Sequence, residues 1–347
     1  MKNKDASVDS SLFWRIAKEY VSHHLQDIRR VSENTIIAYR DCLNKYIDYL
    51  EVERLIKREH ISFSEFNRTN LKEYMDWMLN SKNYAKSTCN LRLSAIHSLL
   101  EYAAHEYSTD LMAIYQEACT VKCVRVDKQP IEYFEDNQMK ELLSAPNVLN
   151  KIGRRNQMML ILYYDTAARI SELTDAAVKQ LHLDSDIPYI TLLGKGRKYR
   201  SIPLMDKTVK HLKRYLKEFH SKNVSNSDSP IFYAITYGKR HHLSRDTIEK
   251  MIKQNAEVCI SRGTEMPKKP HCHMIRKTRA MNLYRDGIPL THIQQLLGHE
   301  NLSTTSGFYA FATLKVLSES LKKSNRTPFE EQRKWTDREI LKKLYRL

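Results

Sequence analysis

The sequence predicts a mainly helical fold with one small β-hairpin in its C-terminal part, an α+β arrangement. Two observations carry this prediction. Residues 1–120 contain no glycine and no proline, and their apolar residues recur at helical spacing. Residues 187–203 differ, because two short runs rich in β-formers flank glycine-containing turn residues there.

The first 120 residues predict a bundle of four or five helices. Ser32 is a candidate N-cap for the first clear helix, and Thr69 or Asn70 is a candidate for the next. The clearest helical stretches are Ile36–Leu50, Leu71–Leu79 and a run that begins at Ser87-Thr88.

Residues 121–131 interrupt the helical pattern and predict an extended linker, because they are charged, rich in β-branched residues and end in Pro130-Ile131. The hairpin is expected within Ile187–Pro203. Further helices are predicted at Glu135–Leu143, Gln157–Tyr164, Lys207–Phe219, Ser244–Arg262, Ile275–Arg285 and Leu290–Leu297.

The charge is concentrated in the C-terminal two thirds of the chain. Lysine and arginine number 57 against 41 acidic residues, a net charge of +16. Residues 1–120 hold 16 basic and 17 acidic residues, whereas residues 121–347 hold 41 and 24. Such a basic region suits a polyanion; nucleic acid is the leading candidate, with acidic lipid or simple solubility as alternatives.

Hydropathy argues against a membrane or secreted protein. The mean hydropathy is −0.58, and no apolar run approaches the ~20 residues of a membrane span. The N-terminal residues lack the apolar stretch of a secretory signal. We therefore expect a cytoplasmic protein.

The cysteines do not form a metal-binding pattern. The six are scattered without a CxxC pair, which favours reduced structural thiols. His271, Cys272 and His273 are consecutive, and adjacent side chains point apart, so they would make a poor chelate. We expect neither a metal nor a cofactor.

Four polar segments in the basic region are candidates for chemistry. Arg169 follows an apolar run, and Glu172 would share its face in a helix; taken alone, a structural ion pair is the favoured interpretation. Lys195 lies between Gly194 and Gly196 in the hairpin turn, where it could reach a phosphate, although basic hairpin tips are common.

The other two segments lie further along the chain. His273 and Arg276 would share one helical face, which could equally be a solvated surface. Gly298 would end a helix as a C-cap residue, so that His299 projects from the helix end, and Tyr309 follows a short polar stretch.

Together the four segments resemble the catalytic domain of the tyrosine recombinase (phage-integrase) family. The family pattern is A/G-x-R-x-S-E-L, a G-K-G hairpin, H-x-x-R, L-G-H and a later tyrosine, and here the successive intervals are 26, 78, 3, 23 and 10 residues. Ala167-Ala168 departs from the Gly-Leu or Gly-Met of many members, and Lys277 from the commoner histidine. The matching positions are Arg169, Lys195, His273, Arg276, His299 and Tyr309.

The resemblance implies a two-domain organisation that covers nearly the whole chain. Ser32–Tyr39 and Lys86–Ala95 look like motifs of the family's helical core-binding domain. The implied parts are a SAM-like DNA-binding domain at 1–120, a linker at 121–131, a catalytic domain at 132–325 and a C-terminal tail at 326–347.

The resemblance also implies roles for the site residues. Tyr309 would form a 3′-phosphotyrosyl link, Arg169 and Arg276 would clamp the phosphate, and Lys195 would protonate the leaving 5′-oxygen. His273 would assist proton transfer, His299 would bond the phosphate, and Glu172 would orient Arg169. The reaction would need no metal and no ATP.

The implied partners are double-stranded DNA sites and three further copies of the chain. The family works as a tetramer on two duplexes, and the apolar stripe of Asp337–Leu347 could dock on a neighbouring subunit or pack within its own. Integration or excision of a mobile genetic element is the expected task. The alternatives are Xer-like dimer resolution, a type IB topoisomerase and an inactive DNA-binding regulator.

Overall fold

The computed structural model describes residues 9–107, 109–126, 131–194, 198–220 and 227–298. The chain forms two compact units, Met1–Gln129 and Pro130–Leu347. Lys195, His299, Tyr309 and the tail that begins at residue 326 lie outside the described residues.

The first unit is helical around an aromatic core. The rings of Tyr46 and Tyr74 lie 4.8 Å apart between centroids, and those of Phe13 and Phe63 lie 5.3 Å apart. All four side chains are buried, so these large rings supply much of the apolar surface that holds the unit together. The helices are α1 (Ser10–Glu19, continued by a π-helical segment, Tyr20–Ile28), α2 (Glu33–Val52), α3 (Arg68–Asp76), α4 (Lys86–Glu106) and α5 (Thr109–Cys119).

The starts of α2 and α3 follow local capping chemistry. Ser32 caps α2 as predicted, and its hydroxyl accepts a hydrogen bond from the Thr35 amide. The predicted cap of α3 is wrong, because Asn67 is the N-cap and its Oδ1 accepts from the Asn70 amide at 2.9 Å. Asn67 precedes both residues that the sequence favoured, so the helix begins earlier.

The segment that follows α5 packs on the first unit. Val121 is buried in its core, and the Val124 amide and carbonyl exchange hydrogen bonds of 2.8 Å with the Asn90 side chain. The division between the two units falls later, after Gln129.

The second unit combines helices with two small sheets. The strands are β1 (Leu181–His182), β2 (Tyr189–Leu193), β3 (Tyr199–Pro203), β4 (Tyr233–Thr236) and β5 (Lys239–His242). Strands β1–β3 form an antiparallel sheet in that order, and β4 and β5 form a separate hairpin that was not predicted from the sequence. The helices are α6 (Asp136–Ser144), α7 (Lys151–Thr166), α8 (Ile170–Thr174), α9 (Asp206–Phe219), α10 (Arg245–Ser261), α11 (Cys272–Arg285) and α12 (Leu290–Leu297).

Helices α7 and α11 are joined through the core of the second unit. The Tyr163 hydroxyl on α7 donates to the Cys272 carbonyl at 2.8 Å. A small apolar cluster continues from this core to α12 and includes Ala167, Met281 and Leu297. This cluster holds the C-terminal end of α12 close to the end of α7. Among the described helices, none is long and apolar enough to cross a lipid bilayer.

Candidate active site

The turn between α7 and α8 places Arg169. Helix α7 ends at Thr166, and its C-cap, Ala167, takes a left-handed conformation with φ +46° and ψ +31°. Arg169 then adopts an extended conformation as the N-cap of α8. The left-handed residue falls where many members of the resembled family have glycine, the residue that adopts this conformation without steric cost.

Glu172 is a buried carboxylate that accepts hydrogen bonds from two arginines. Its side chain is 3% exposed. Its oxygens accept from the Arg169 amide and Nη1, both at 2.7 Å, and from Nη1 and Nη2 of Arg200 at 2.9 and 2.6 Å. Burial alone would raise the pKa of this carboxyl, but the hydrogen bonds from Arg200 and Arg169 lower it below its ordinary value. The predicted contact between Arg169 and Glu172 is therefore present, and Arg200 binds the same carboxylate.

Arg276 lies on α11 and is 2% exposed. Its Nη1 donates to the Ala167 carbonyl at 2.7 Å, and its Nη2 donates to the Leu297 carbonyl at 2.5 Å. Burial, reinforced by the charge of Arg169, lowers the pKa of the Arg276 guanidinium to about 10. The group remains protonated at neutral pH.

Three arginines cap the C-terminal end of α12 on consecutive carbonyls. Arg200 Nε donates to Leu296 at 3.0 Å, Arg276 donates to Leu297, and Arg169 Nη2 donates to Gly298 at 3.0 Å. The carbonyls at a helix C-terminus carry partial negative charge, so cations are stabilised there. The predicted site residues Arg169 and Arg276 are thereby brought together although 107 positions separate them in the sequence.

Arg200 belongs to the described part of this site, although it was not predicted from the sequence. It lies on β3 two residues before Ile202, which is buried, and alternate residues of a strand share a face. That pattern is a signal that could have indicated an inward-facing arginine. Its partners could not have been found in this way, because they lie 28 and 96 positions away.

Of the remaining predicted residues, the structure describes only His273. His273 is exposed in the first turn of α11, three residues before Arg276. Lys195, His299 and Tyr309 lie outside the described residues, but Gly194 and Gly298, the residues directly before Lys195 and His299, are described. Gly298 ends α12 as a left-handed C-cap at φ +62°, as predicted. Within the described part of the chain, no group of three His, Cys, Asp or Glu side chains could hold a metal ion.

Comparison with known proteins assigns the family. The sequence model of the phage integrase family matches residues 132–314, and that of the family's N-terminal SAM-like domain matches residues 18–107. The chain belongs to the phage integrase family. This confirms the resemblance to tyrosine recombinases and identifies the chain as a site-specific DNA recombinase.

Curated relatives of this recombinase agree with the assignment. The chain is 30% identical over 290 residues to the tyrosine recombinase XerD of Staphylococcus saprophyticus, covering 84% of this chain and 92% of the relative. It is also 30% identical over 292 residues to XerD of Staphylococcus aureus, with the same coverage of both chains.

Solved structures show the same fold. The Tn1549 transposon integrase in complex with transposon right end DNA matches with a TM-score of 0.65 and 16% identity, covering 89% of this chain and 99% of the other. The XerH site-specific recombinase bound to palindromic difH substrate matches with a TM-score of 0.63 and 19% identity, covering 90% and 84%. The predicted fold class, helical with small antiparallel sheets, is confirmed.

Proposed function

We propose that this recombinase cleaves and rejoins double-stranded DNA through a 3′-phosphotyrosyl intermediate on Tyr309. The observation that carries the proposal is the convergence of Arg169 and Arg276 on the last carbonyls of α12, directly before His299 in the sequence. Arg169 keeps a side chain 33% exposed, so its guanidinium can reach an anion from outside. Two guanidinium forks at one place suit the non-bridging oxygens of a phosphodiester.

The chemistry balances without an external reactant. The Tyr309 oxygen attacks phosphorus, its proton passes to His273, and the bond to the 5′-oxygen breaks as Lys195 protonates that oxygen. Arg169 and Arg276 stabilise the additional charge of the pentavalent transition state, and His299 bonds a phosphate oxygen. A 5′-hydroxyl from a partner strand then attacks the phosphotyrosine, which reverses the step and completes strand exchange.

Covalent capture from randomised DNA tests this chemistry and selects the DNA site in the same experiment. The full chain is mixed with nicked duplexes that carry randomised arms, and DNA that remains attached under denaturing conditions is amplified and sequenced. The wild type should enrich one site family, and Tyr309→Phe should capture none. Tyr237→Phe, at a fully exposed residue, is the matched control and should behave as the wild type.

The same selected duplexes separate the alternatives. A protein that forms no adduct after repeated rounds would be an inactive DNA-binding regulator. Relaxation of supercoiled plasmids without recombination of two-site plasmids would indicate a type IB topoisomerase. Recombination between two sites would support the proposed function.

We infer that the recombinase assembles as a homotetramer on two duplexes and that residues 326–347 dock on a neighbouring subunit. Light scattering of the complex on selected DNA should give four protein chains for the full protein. Deletion of residues 326–347 should leave monomers or dimers on DNA with adduct formation retained. A tetramer that survives the deletion would contradict tail docking.

Two biological tasks are compatible with this chemistry. Integration or excision of a mobile element is our proposal, and resolution of chromosome or plasmid dimers is the second candidate because the curated relatives above are Xer recombinases. Deletion of the gene in its source cell distinguishes them. Loss of the circular excision junction supports the first, whereas accumulation of unsegregated chromosomes supports the second.

A further inference from the structure

Arg200 joins parts of the second unit that are distant in sequence. From strand β3 its Nε donates to the Leu296 carbonyl at the end of α12, while Nη1 and Nη2 donate to the two oxygens of Glu172. All three nitrogens are thus engaged by the protein. Because Leu296 and Glu172 engage every nitrogen of its guanidinium, Arg200 is suited to act through its neighbours.

Two glycines pack against the same guanidinium. A Cβ at Gly194 would lie 3.2 Å from Arg200 Nη1, and a Cβ at Gly298 would lie 3.1 Å from it. Lys195 directly follows the first glycine in the sequence, and His299 directly follows the second. The backbone that leads into each of these residues is therefore in close contact with Arg200.

Arg200 also lowers the pKa of Glu172 and so favours its charged form. The charged groups that face this carboxylate are Arg169 at the start of α8, Arg200 on β3 and Arg276 on α11. Burial raises the pKa of Glu172, and the hydrogen bonds from Arg200 are the strongest of the interactions that oppose it. Without Arg200, the pKa of Glu172 would be higher, and Glu172 would lose one of the two arginines that hold it in place beside Arg169.

We propose that Arg200 is a positioning residue for strand cleavage. It fixes Glu172, and through it Arg169, relative to the two chain segments that lead into Lys195 and His299. The proposal rests on the function proposed above, since it assigns Arg200 a part in that same reaction. Through these hydrogen bonds, the guanidinium of Arg200 connects the β2–β3 hairpin to helix α8 and to the end of α12.

Single-turnover cleavage of the selected nicked duplex tests the proposal, with the full chain in saturating excess. Arg200→Gln should lower the rate of adduct formation about 10- to 100-fold, because small displacements of catalytic groups are costly. The affinity for DNA should stay near that of the wild type. Arg200→Lys should recover part of the rate, because it restores the charge but not the planar fork.

Arg154 provides a matched control. It also bridges a carboxylate and backbone carbonyls, since Nε lies 2.9 Å from Glu218 Oε1 and Nη1 lies 2.9 Å from the Val148 carbonyl. Its side chain is 39% exposed, and the hydrogen bonds described for it go to Glu218, Val148 and Leu149. Arg154→Gln should keep the wild-type rate. Equal losses of rate in Arg154→Gln and Arg200→Gln would overturn the proposal.

The pH dependence gives a readout that a merely structural role would not move. In Arg200→Gln the pKa of Glu172 should rise, so the acid side of the rate profile should move to higher pH. A 13C NMR titration of the Glu172 carboxyl, assigned with Glu172→Gln, measures the same shift without DNA. An unchanged rate profile would overturn the proposal, whether or not the titration of Glu172 shifts.

Failure of the proposed function would look different. If the wild type forms no adduct, or if Tyr309→Phe still forms one, the chemistry proposed for the site is wrong, and the assignment of Arg200 to that reaction is wrong with it. If the wild type forms the adduct and Arg200→Gln forms it equally fast at every pH, only the assignment of Arg200 is wrong.

Discussion

Replacing Gly298 by alanine should destabilise the recombinase more than the same change at a glycine in open surroundings. Gly298 has φ +62° and ψ +47°, which is left-handed, and it ends α12. An added Cβ would lie 3.1 Å from Arg200 Nη1 and 3.3 Å from its Cδ and Cζ. The substitution therefore strains the backbone and crowds a side chain that cannot move freely.

The two effects can be given separate magnitudes. The left-handed conformation costs a residue with a Cβ about 1–2 kcal/mol. Arg200 would have to shift by a few tenths of an ångström, which lengthens its hydrogen bonds to Glu172 or to Leu296. Weakening one hydrogen bond to a charged group by about half costs roughly 1 kcal/mol. We expect a total of about 2–3 kcal/mol from these two terms.

Gly263→Ala isolates the first effect. Gly263 has φ +86°, and a Cβ there would meet nothing within 4 Å, so this substitution strains only the backbone conformation. Thermal unfolding of the full chain, followed by circular dichroism, should show a Tm for Gly298→Ala about 2–4 °C below that of Gly263→Ala, as expected for an excess of ~1 kcal/mol. The difference should vanish when Arg200 is also replaced by alanine. Equal Tm values for the two single variants would refute the reasoning.

Three further outcomes are expected. Ala167→Gly should change the free energy of unfolding, measured in urea, by less than about 1 kcal/mol. Glycine relieves the left-handed strain, but it also removes a buried methyl group and increases the entropy of the unfolded chain, so the effects offset each other. A loss well above ~2 kcal/mol would contradict this expectation. Glu172→Gln should lower stability at pH 7 by about 3–5 kcal/mol, since it leaves buried arginine charge uncompensated. Because the pKa of Glu172 is lowered on folding, its contribution is complete above its unfolded pKa of about 4.3 and is lost as pH falls through the folded value, so the stability of the variant should depend less on pH in that acid range. DNA affinity should fall with salt by ~0.9 in log K per neutralised phosphate for each tenfold rise in concentration; a flat response in a binding titration would contradict phosphate contacts.

Local signals in the sequence predicted the helices well. Helix α12 has the predicted limits, Leu290–Leu297, because an apolar face and a terminal glycine both act within the segment itself. The cap of α2 at Ser32 was predicted for the same reason. The cap of α3 was not, since Asn67, Thr69 and Asn70 are all suitable residue types and only the folded backbone selects among them.

The hairpin of β4 and β5 escaped prediction for two physical reasons. Strand β5, Lys239–His242, is exposed along its whole length, so it lacks the alternation of apolar and polar residues that marks a half-buried strand. Its turn contains Tyr237 and Gly238, both at positive φ. Such turns usually carry asparagine or aspartate at the first of these positions, so a tyrosine there gives no turn signal.

The site was only partly predictable, because its arginines are organised by contacts between elements. Motif order indicated Arg169 and Arg276, and helical spacing indicated that Glu172 could reach Arg169. Arg200 belongs to no such motif in the sequence. Its importance follows from two partners brought together only in the folded chain, Glu172 on α8 and the end of α12.

The charge balance at the end of α12 explains why three arginines can share one place and still attract an anion. Three guanidinium groups meet one carboxylate, Glu172, and a helix terminus that contributes about half a negative charge. A positive excess of roughly 1.5 charges is therefore left at this site. A phosphodiester carries one negative charge and approaches two in a pentavalent transition state, so its attraction to this positive excess is greater in the transition state than in the ground state. On this argument the carboxylate and the helix end hold the arginines together in the free protein, and under the proposed function the residual charge favours the transition state of strand cleavage.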